Sequence, residues 1–549
     1  MIKLNRNYFR LISYFLLFNA ISSHASNNEL VINEDSEKTS IDAVYFGQTH
    51  VQKPEDEYFT LVSNRKALIK VHLTSSVNSI QSPEVVAVVK LNGDKIKIPL
   101  SGPDILPTHF NDTPCDVKHS HDDSFTGMIP KEWVKPGMSV KIKAGKLRKF
   151  INYIEVGAPT VLKINMFDMY SFQDNDKDFP DGWKEEFEAK LPVSDMIVER
   201  QKVFFDEIVL IPRNGQPAKR VYSTNETSRG EQTAARWMNA LMDAAGTARR
   251  NHFYYANVHG LKMKNARGGG FSALGIGAGE GYLLHEMGHG LSLAHSSQGF
   301  WPYKGTMCGI ESEKNHVGST WFFNLDHEKF VSPISERTGS FKTSPMLGGG
   351  LGKEKETWAL TNLKHYSDYE VNKMQKYLQK HMVVWNSELK SYASWNNVEK
   401  AYTNFVNNNG VLYPIERDVD VISILTSVSA VTSDANIIYP PIGSYKAGLI
   451  SLFDPRFGYD RTLAEENFCP KEGCDVSLKV IQGGEKKFIM LPISWDDNAD
   501  PLHKGSLNTK AINLRASDGE VTKVQLLYTP DAEHNGLPKK QKVITKWRK

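Results

Sequence analysis

A chain of 549 residues is too long for one hydrophobic core and predicts several domains. Its 66 Lys and Arg residues almost cancel 63 Asp and Glu. Nothing basic is concentrated as nucleic-acid binding would need, so no nucleic acid is expected as a partner.

The first 25 residues read as a secretory signal. Lys3, Arg6 and Arg10 form a basic start, Leu11 to Ile21 an apolar core, and Ser23-His24-Ala25 a small-x-small cleavage site. The apolar run is shorter than the ~20 residues a bilayer span requires, and no later segment is long and apolar enough. The expectation is a protein with no membrane span, secreted by way of the periplasm after the signal is cleaved, and monomeric. Removing the three basic residues leaves 63 positive against 63 negative charges. Four cysteines in an exported chain favour disulfides. Cys469-Pro-Lys-Glu-Gly-Cys474 reads as a small bridged loop, because Pro470 and Gly473 favour a turn. Cys115 and Cys308 are left over, and sequence alone does not bring them together.

Residues 38–156 carry a β pattern. Ala67 to Leu73 alternates, and Val85 to Val89 leads through an Asn92-Gly93 turn to Ile96, Ile98 and Leu100, a hairpin signal. Met138, Val140 and Ile142 alternate again, which predicts an N-terminal β-sandwich-like domain. From 157 to 405 the character is mixed. Ala234, Met238, Leu241, Met242 and Ala245 recur at helical spacing, and a strand is expected around Phe253 to Val258. Gly268 to Leu274 reads as an edge strand whose glycines permit close approach by another backbone.

Next comes His285-Glu286-Met287-Gly288-His289-Gly290-Leu291-Ser292-Leu293-Ala294-His295, or HExxHxxxxxH. Histidines four apart share a helix face and can aim two imidazoles at one point. If the helix ends and the chain turns back, His295 supplies a third. Glu286 sits beside that point as a base rather than a ligand. Three histidines with a neighbouring carboxylate are the parts of a zinc hydrolase, one zinc per chain. Glycines at 275, 277, 279 and 281 read as a flexible lead-in, and Tyr282, Leu283, Leu284 and Met287 as the apolar helical stretch.

Farther on, Ser367-Asp368-Tyr369-Glu370 is a capping box opening a helix with Val371, Met374 and Leu378 on one face. Trp385 and Trp395 read as core. Residues 411–549 return to β character, in runs such as Val419 to Val428, Gly448 to Phe453 and Val476 to Ile481, predicting a C-terminal β-sandwich-like domain.

HEMGHGLSLAH is similar to the metzincin zinc helix with its third histidine. The surrounding chain resembles the StcE/TagA-like family of secreted bacterial zinc metalloproteases, which cleave mucin-type, O-glycosylated proteins. IPKEWVKPGMSVKIKAGKL and IEVGAPT resemble its N-terminal segment, LPVSDMIVE, RGGGFSALG and SPMLGGG its catalytic region, and IIYPPIGSYKAGLISLFDP its C-terminal β region. The resemblance implies a multidomain α+β protein with a metzincin-like protease domain flanked by the two β-sandwich-like domains. It implies zinc ligands at His285, His289 and His295, a general base at Glu286, and O-glycosylated mucin-like protein substrates. It also implies a methionine turn beneath the metal, at Met346 in preference to Met307.

Two positions depart from the family pattern. Ser292 stands where metzincins usually place a glycine with positive φ, so the helix exit falls to Ser292 or to Gly290. Ser296 stands where the family carries a tyrosine, with Tyr303 as a candidate replacement. Two other readings use the same residues: a gluzincin-like peptidase with Glu311, Glu313 or Glu328 as third ligand, and a mucin- or glycan-binding adhesin with a vestigial zinc site.

Overall fold

Apolar residues that alternate along the chain pair into sheets whose buried faces then find one another. The computed structural model describes residues 30–31, 39–172, 178–227, 230–246, 252–277, 280–347, 364–405 and 413–549. The expected signal segment, 1–25, lies outside the described residues. On the N-terminal side, one sheet runs Leu30–Val31, Leu147–Ile151, Ser139–Ala144, Val85–Leu91, Asp94–Leu100 in spatial order, and a second runs Val51–Gln52, Thr39–Gly47, Ala67–Ser75, Phe125–Ile129. Phe46, Ile69 and Val71 of one sheet share a buried cluster with Ala87, Val89 and Ile142 of the other. The hairpin around Asn92-Gly93 forms with both residues at positive φ, the geometry a two-residue turn with right-handed twist needs.

The central sheet is built from β1 (Val161–Ser171), β2 (Asp195–Phe205), β3 (His252–His259), β4 (Arg267–Gly269) and β5 (Ser272–Ile276) in the order β2-β1-β3-β5-β4. The β1–β2, β1–β3 and β3–β5 pairs are parallel, and β4 is antiparallel to β5 at the edge. The stretch expected as one edge strand is therefore a hairpin, because Gly270 and Phe271 both take positive φ and reverse the chain. Between the strands lie α1 (Trp183–Ala189) and α2 (Glu231–Ala244), and after β5 comes α3 (Glu280–Gly290). The glycines expected as a lead-in are divided: Gly275 lies in β5 and Gly281 in α3.

The two faces of the central sheet have different partners. One face carries Phe167, Met169, Tyr254 and Ala256 into a core shared with α2 and with Val421, Leu425, Tyr445 and Ala447 from the C-terminal strands. The other carries Leu162, Ile164, Phe253 and Tyr255 against Leu283, Leu284 and Met287 of α3 and against α4 (Asp368–His381). Ser367 and Glu370 make both bonds of the capping box at the start of α4.

The expected divisions at 156/157 and 411 are thus crossed by packing. Strand Val156–Gly157 pairs with Leu61–Val62 across the first, and the shared core crosses the second. A short hairpin, β6 (Phe322–Asn324) with β7 (Lys329–Val331), docks on the N-terminal sheets. There Val51 donates to the Trp321 carbonyl and Phe323 to that of Thr49, each at 2.9 Å. Arg65 adds a guanidinium to the carbonyls of Glu188, Ala189 and Leu191 at the end of α1. Cys115 is bridged to Cys308 at the same junction, and Cys469 to Cys474 in the C-terminal part.

The C-terminal strands form two sheets, one led by Glu416–Val428 and the other by Val476–Gln482, with a common cluster including Ile424, Ile438, Leu478 and Leu526. Trp385 is not core. It lies on a three-stranded sheet, 39% exposed, with the Arg417 guanidinium 3.6 Å from its ring centre. No helix among the described residues is long and apolar enough to cross a membrane.

Candidate metal centre

Helix α3 is seated by its apolar side, with Leu283, Leu284 and Met287 buried, and the Tyr366 hydroxyl donates to the Leu284 carbonyl. Two glycines let neighbours approach. A Cβ at Gly268 in β4 would overlap the Glu286 carbonyl oxygen, and one at Gly288 would overlap the Met346 sulfur. Edge strand and helix therefore touch backbone to backbone, and Met346, fully buried, lies against the helix.

The helix ends in a Schellman turn, in which one residue takes left-handed backbone so that two trailing amides can reach back to open carbonyls. Ser292 takes that conformation, at φ 78°. Its amide donates to His289 and that of Leu293 to Gly288, at 3.0 and 2.8 Å. Gly290 does not have positive φ. This reversal returns His295 to the helix face bearing His285 and His289.

The three imidazoles converge. Nε2 of His295 lies 3.1 Å from Nε2 of His289 and 3.3 Å from Nε2 of His285. For His285 and His289 the other ring nitrogen is committed. Nδ1 of His285 donates to the Pro345 carbonyl at 2.7 Å, and Nδ1 of His289 to that of Leu293 at 2.8 Å. A carbonyl only accepts, so these two rings carry their proton on Nδ1 and turn Nε2 lone pairs inward. Lone pairs pressed together repel unless a cation lies between them. Nitrogens ~2.1 Å from a tetrahedral zinc sit ~3.4 Å apart, close to the spacing here, so the donor set fits a metal. Burial is the main cause holding the His285 imidazole low, at about 4, and it lowers His289 too. Neutral rings are the form that can ligate.

Glu286 is buried beside this point, with Oε1 4.0 Å from Nε2 of His285. Burial pushes its carboxyl up to about 7, against a smaller opposing pull from Arg267. A carboxyl poised there can take up and return a proton near neutral pH. The site opens into a cleft of about 750 Å3 lined by the three histidines, Glu286, Tyr282 and Ile276 on one side and by residues 264–268 on the other.

Met346 sits in a turn closed by Leu347 donating to Ser344, and its carbonyl accepts from Ser296 at 2.8 Å. Ser344 in turn donates to Glu370 of α4 at 2.6 Å. Met307 lies elsewhere, in a bridge with Ile310. Ser296 is buried beneath the site and does not line the cleft. Tyr303 gives its hydroxyl to Asp368, so it is turned to another cavity and offers nothing to the metal cleft. Among the described residues, the metal-ligating group around His285 and His289 takes His295 as its third member. Glu311, Glu313 and Glu328 are exposed and outside that group. Sequence reasoning missed Arg267 and Lys264 as cleft residues. Starting the edge strand one residue earlier would have found Arg267.

Residues 115–383 match the family Peptidase M66. The chain is similar to dictomallein of Burkholderia mallei (strain SAVP1) and of Burkholderia pseudomallei (strain 1710b). With each it is 25% identical over 593 residues, covering 92% of this chain and 83% of the relative. It is also 25% identical to dictomallein-2 of Dictyostelium discoideum over 626 residues, 97% of this chain and 98% of that one. These matches support an M66-family metallopeptidase.

Proposed function

We propose that this chain is a secreted, monomeric zinc metalloendopeptidase of the StcE/TagA-like, metzincin type, cleaving mucin-type O-glycosylated proteins. The observation that carries the reading is the convergence of three imidazole nitrogens at the foot of an open cleft, with a buried carboxyl alongside. His285, His289 and His295 would hold one zinc. When bound, zinc supplies Lewis acidity, acidifying water and polarising a carbonyl. Glu286 accepts the proton of the attacking water on a carboxylate oxygen and delivers it to the leaving amine. Met346 supports α3 from below as the methionine turn, and Pro345 and Leu293 orient the rings through their carbonyls. Strand β4, at the sheet edge, offers its outer backbone to an extended substrate. The bridges Cys115–Cys308 and Cys469–Cys474 suit an oxidising destination.

The test is to incubate the purified protein, with and without chelator, with mucin-domain glycoproteins and with the same polypeptides stripped of glycans. Chelator-sensitive cleavage confined to the glycosylated set is expected. Equal rates on both sets would leave a metallopeptidase and remove the mucin assignment. Glycoprotein binding without cleavage would favour the adhesin reading.

A further inference from the structure

The metal cleft continues past β4. A second pocket of about 200 Å3 lies beside it, and Arg267 and Gly268 line both. Its apolar side is Ala235 and Met238 of α2 with Leu274 of β5, and Asn239 and Ser272 are polar. The missing side chain of Gly268 faces α3, where a Cβ would meet Glu286 and His289. Strand alternation then turns Arg267 and Gly269 toward the α2 side.

Three features of this pocket have no explanation in folding. Gly269 does not have positive φ, and a Cβ there would meet nothing within 4 Å, so neither backbone nor packing requires glycine. Arg267 is exposed, and its guanidinium makes no hydrogen bond or salt bridge among the described residues, acting on Glu286 of the adjoining cleft only through space. The Asn239 side chain makes none either. No Asp or Glu among the described residues lines the pocket. A guanidinium with its hydrogen-bonding edge open, in a pocket that also holds a carboxamide and an apolar floor, is a receptor for a carboxylate on a short stem or ring.

We propose that this pocket is a carboxylate subsite of the substrate groove, with Arg267 as the anion's partner and Gly269 keeping the space open. An extended chain paired on β4 turns successive side chains to opposite faces, so one residue addresses the metal cleft and its neighbour addresses this pocket. The inference rests on the peptidase reading and adds a substrate preference to it. The carboxylate belongs either to an Asp or Glu side chain or to an acidic sugar on the substrate.

Peptide binding to the zinc-loaded mature chain carrying Glu286→Gln tests it without turnover. Four fluorescent peptides share one backbone: a neutral threonine peptide, the same with Asp beside the threonine, one with a neutral O-glycan, and one with that glycan sialylated. At least one acidic peptide should bind about tenfold tighter than its neutral counterpart, equivalent to ~1.4 kcal/mol. Whichever arm responds identifies the source of the carboxylate. Arg267→Gln should bring the ratio to about one, Arg267→Lys should keep part of it, and Arg267→Glu should invert it. Gly269→Leu should abolish the preference by filling the pocket, at an unchanged melting temperature. Equal affinities for acidic and neutral peptides in the Glu286→Gln parent would overturn the proposal, as would a preference indifferent to Arg267→Gln. Cleavage of the same peptides by the unsubstituted protein is scored separately. An Arg267-dependent preference without cleavage would remove the peptidase reading and leave the subsite standing.

Discussion

His285, His289 and His295 meet nitrogen to nitrogen at the foot of an open cleft. His50, His72 and His119 are sunk among aromatic rings at the junction with the N-terminal sheets. His72 stacks on Phe110 at 3.7 Å, His119 lies edge-on to Tyr45 at 4.9 Å, and His50 edge-on to Phe322 at 5.1 Å. One ring nitrogen of His72 and one of His119 is buried without a hydrogen-bond partner among the described residues, and burial is the main cause holding all three imidazoles below their ordinary range. Burial and neutrality are common to both groups. What separates them is direction: in the first, backbone carbonyls fix the tautomer and turn the free nitrogens to one point. In the second, the rings serve as flat packing surfaces, and they are absent from the metal-ligating groups among the described residues.

The hardest test of this contrast is Glu286→Gln. It should keep its zinc by elemental analysis and lose roughly 10²–10⁴-fold in kcat, the range general acid–base groups supply; an active variant would refute the assigned proton transfer. Next, His295→Ala should lose metal affinity and turnover together, since a catalytic zinc needs three protein ligands. His119→Phe should leave zinc content unchanged while altering thermal stability. A zinc loss in His119→Phe would erase the distinction between the two groups.

Acid should act on the two regions differently. The junction histidines have depressed folded values, about 4 for His50 and about 3 for His119. Below the unfolded value of 6.5 the unfolded chain binds more protons, so stability should be complete above that pH and fall as pH drops toward 4. Melting temperature measured from pH 7 down to 4 reads this directly, and His50→Phe should flatten the slope. In kcat/KM, protonation of Glu286 should give an acid limb, with activity falling as the base becomes protonated; burial pushes that limb up and a bound cation draws it down. The smallest effect is local. Ser292→Gly should stabilise the protein by about 1 kcal/mol in chemical denaturation, because glycine adopts left-handed backbone without the Cβ clash.

Much of α3 was legible because its signals are local. HExxH spacing and the capping box at Ser367 act within one or two helical turns, and the third histidine needs only a helix exit. Choosing Ser292 over Gly290 needed the contacts of Leu293 with Gly288, since both residues fit the spacing. Arg267 was missed because its role depends on which face of β4 looks toward α2. The helix Gly458–Asn467 was missed too: only Ala464 of it is buried, so its sequence carries little apolar periodicity. Trp385 was misread because a tryptophan can be covered by an arginine as well as by a core. The divisions at 157 and 411 followed changes of pattern along the chain, whereas the cores formed across them.

The guanidinium of Arg65 has a practical corollary. It terminates α1 from a strand-pair region more than a hundred residues earlier in the chain. A truncated protein beginning at residue 157 would leave those carbonyls open, strip the partners from Trp321 and Phe323, and strand Cys308 as a lone thiol. Such a fragment would contain His285, Glu286, His289 and His295, yet it would expose raw apolar surface and aggregate. The shortest piece worth expressing therefore starts ahead of Thr39, because the N-terminal sheets and the body that carries the three histidines close each other's open groups.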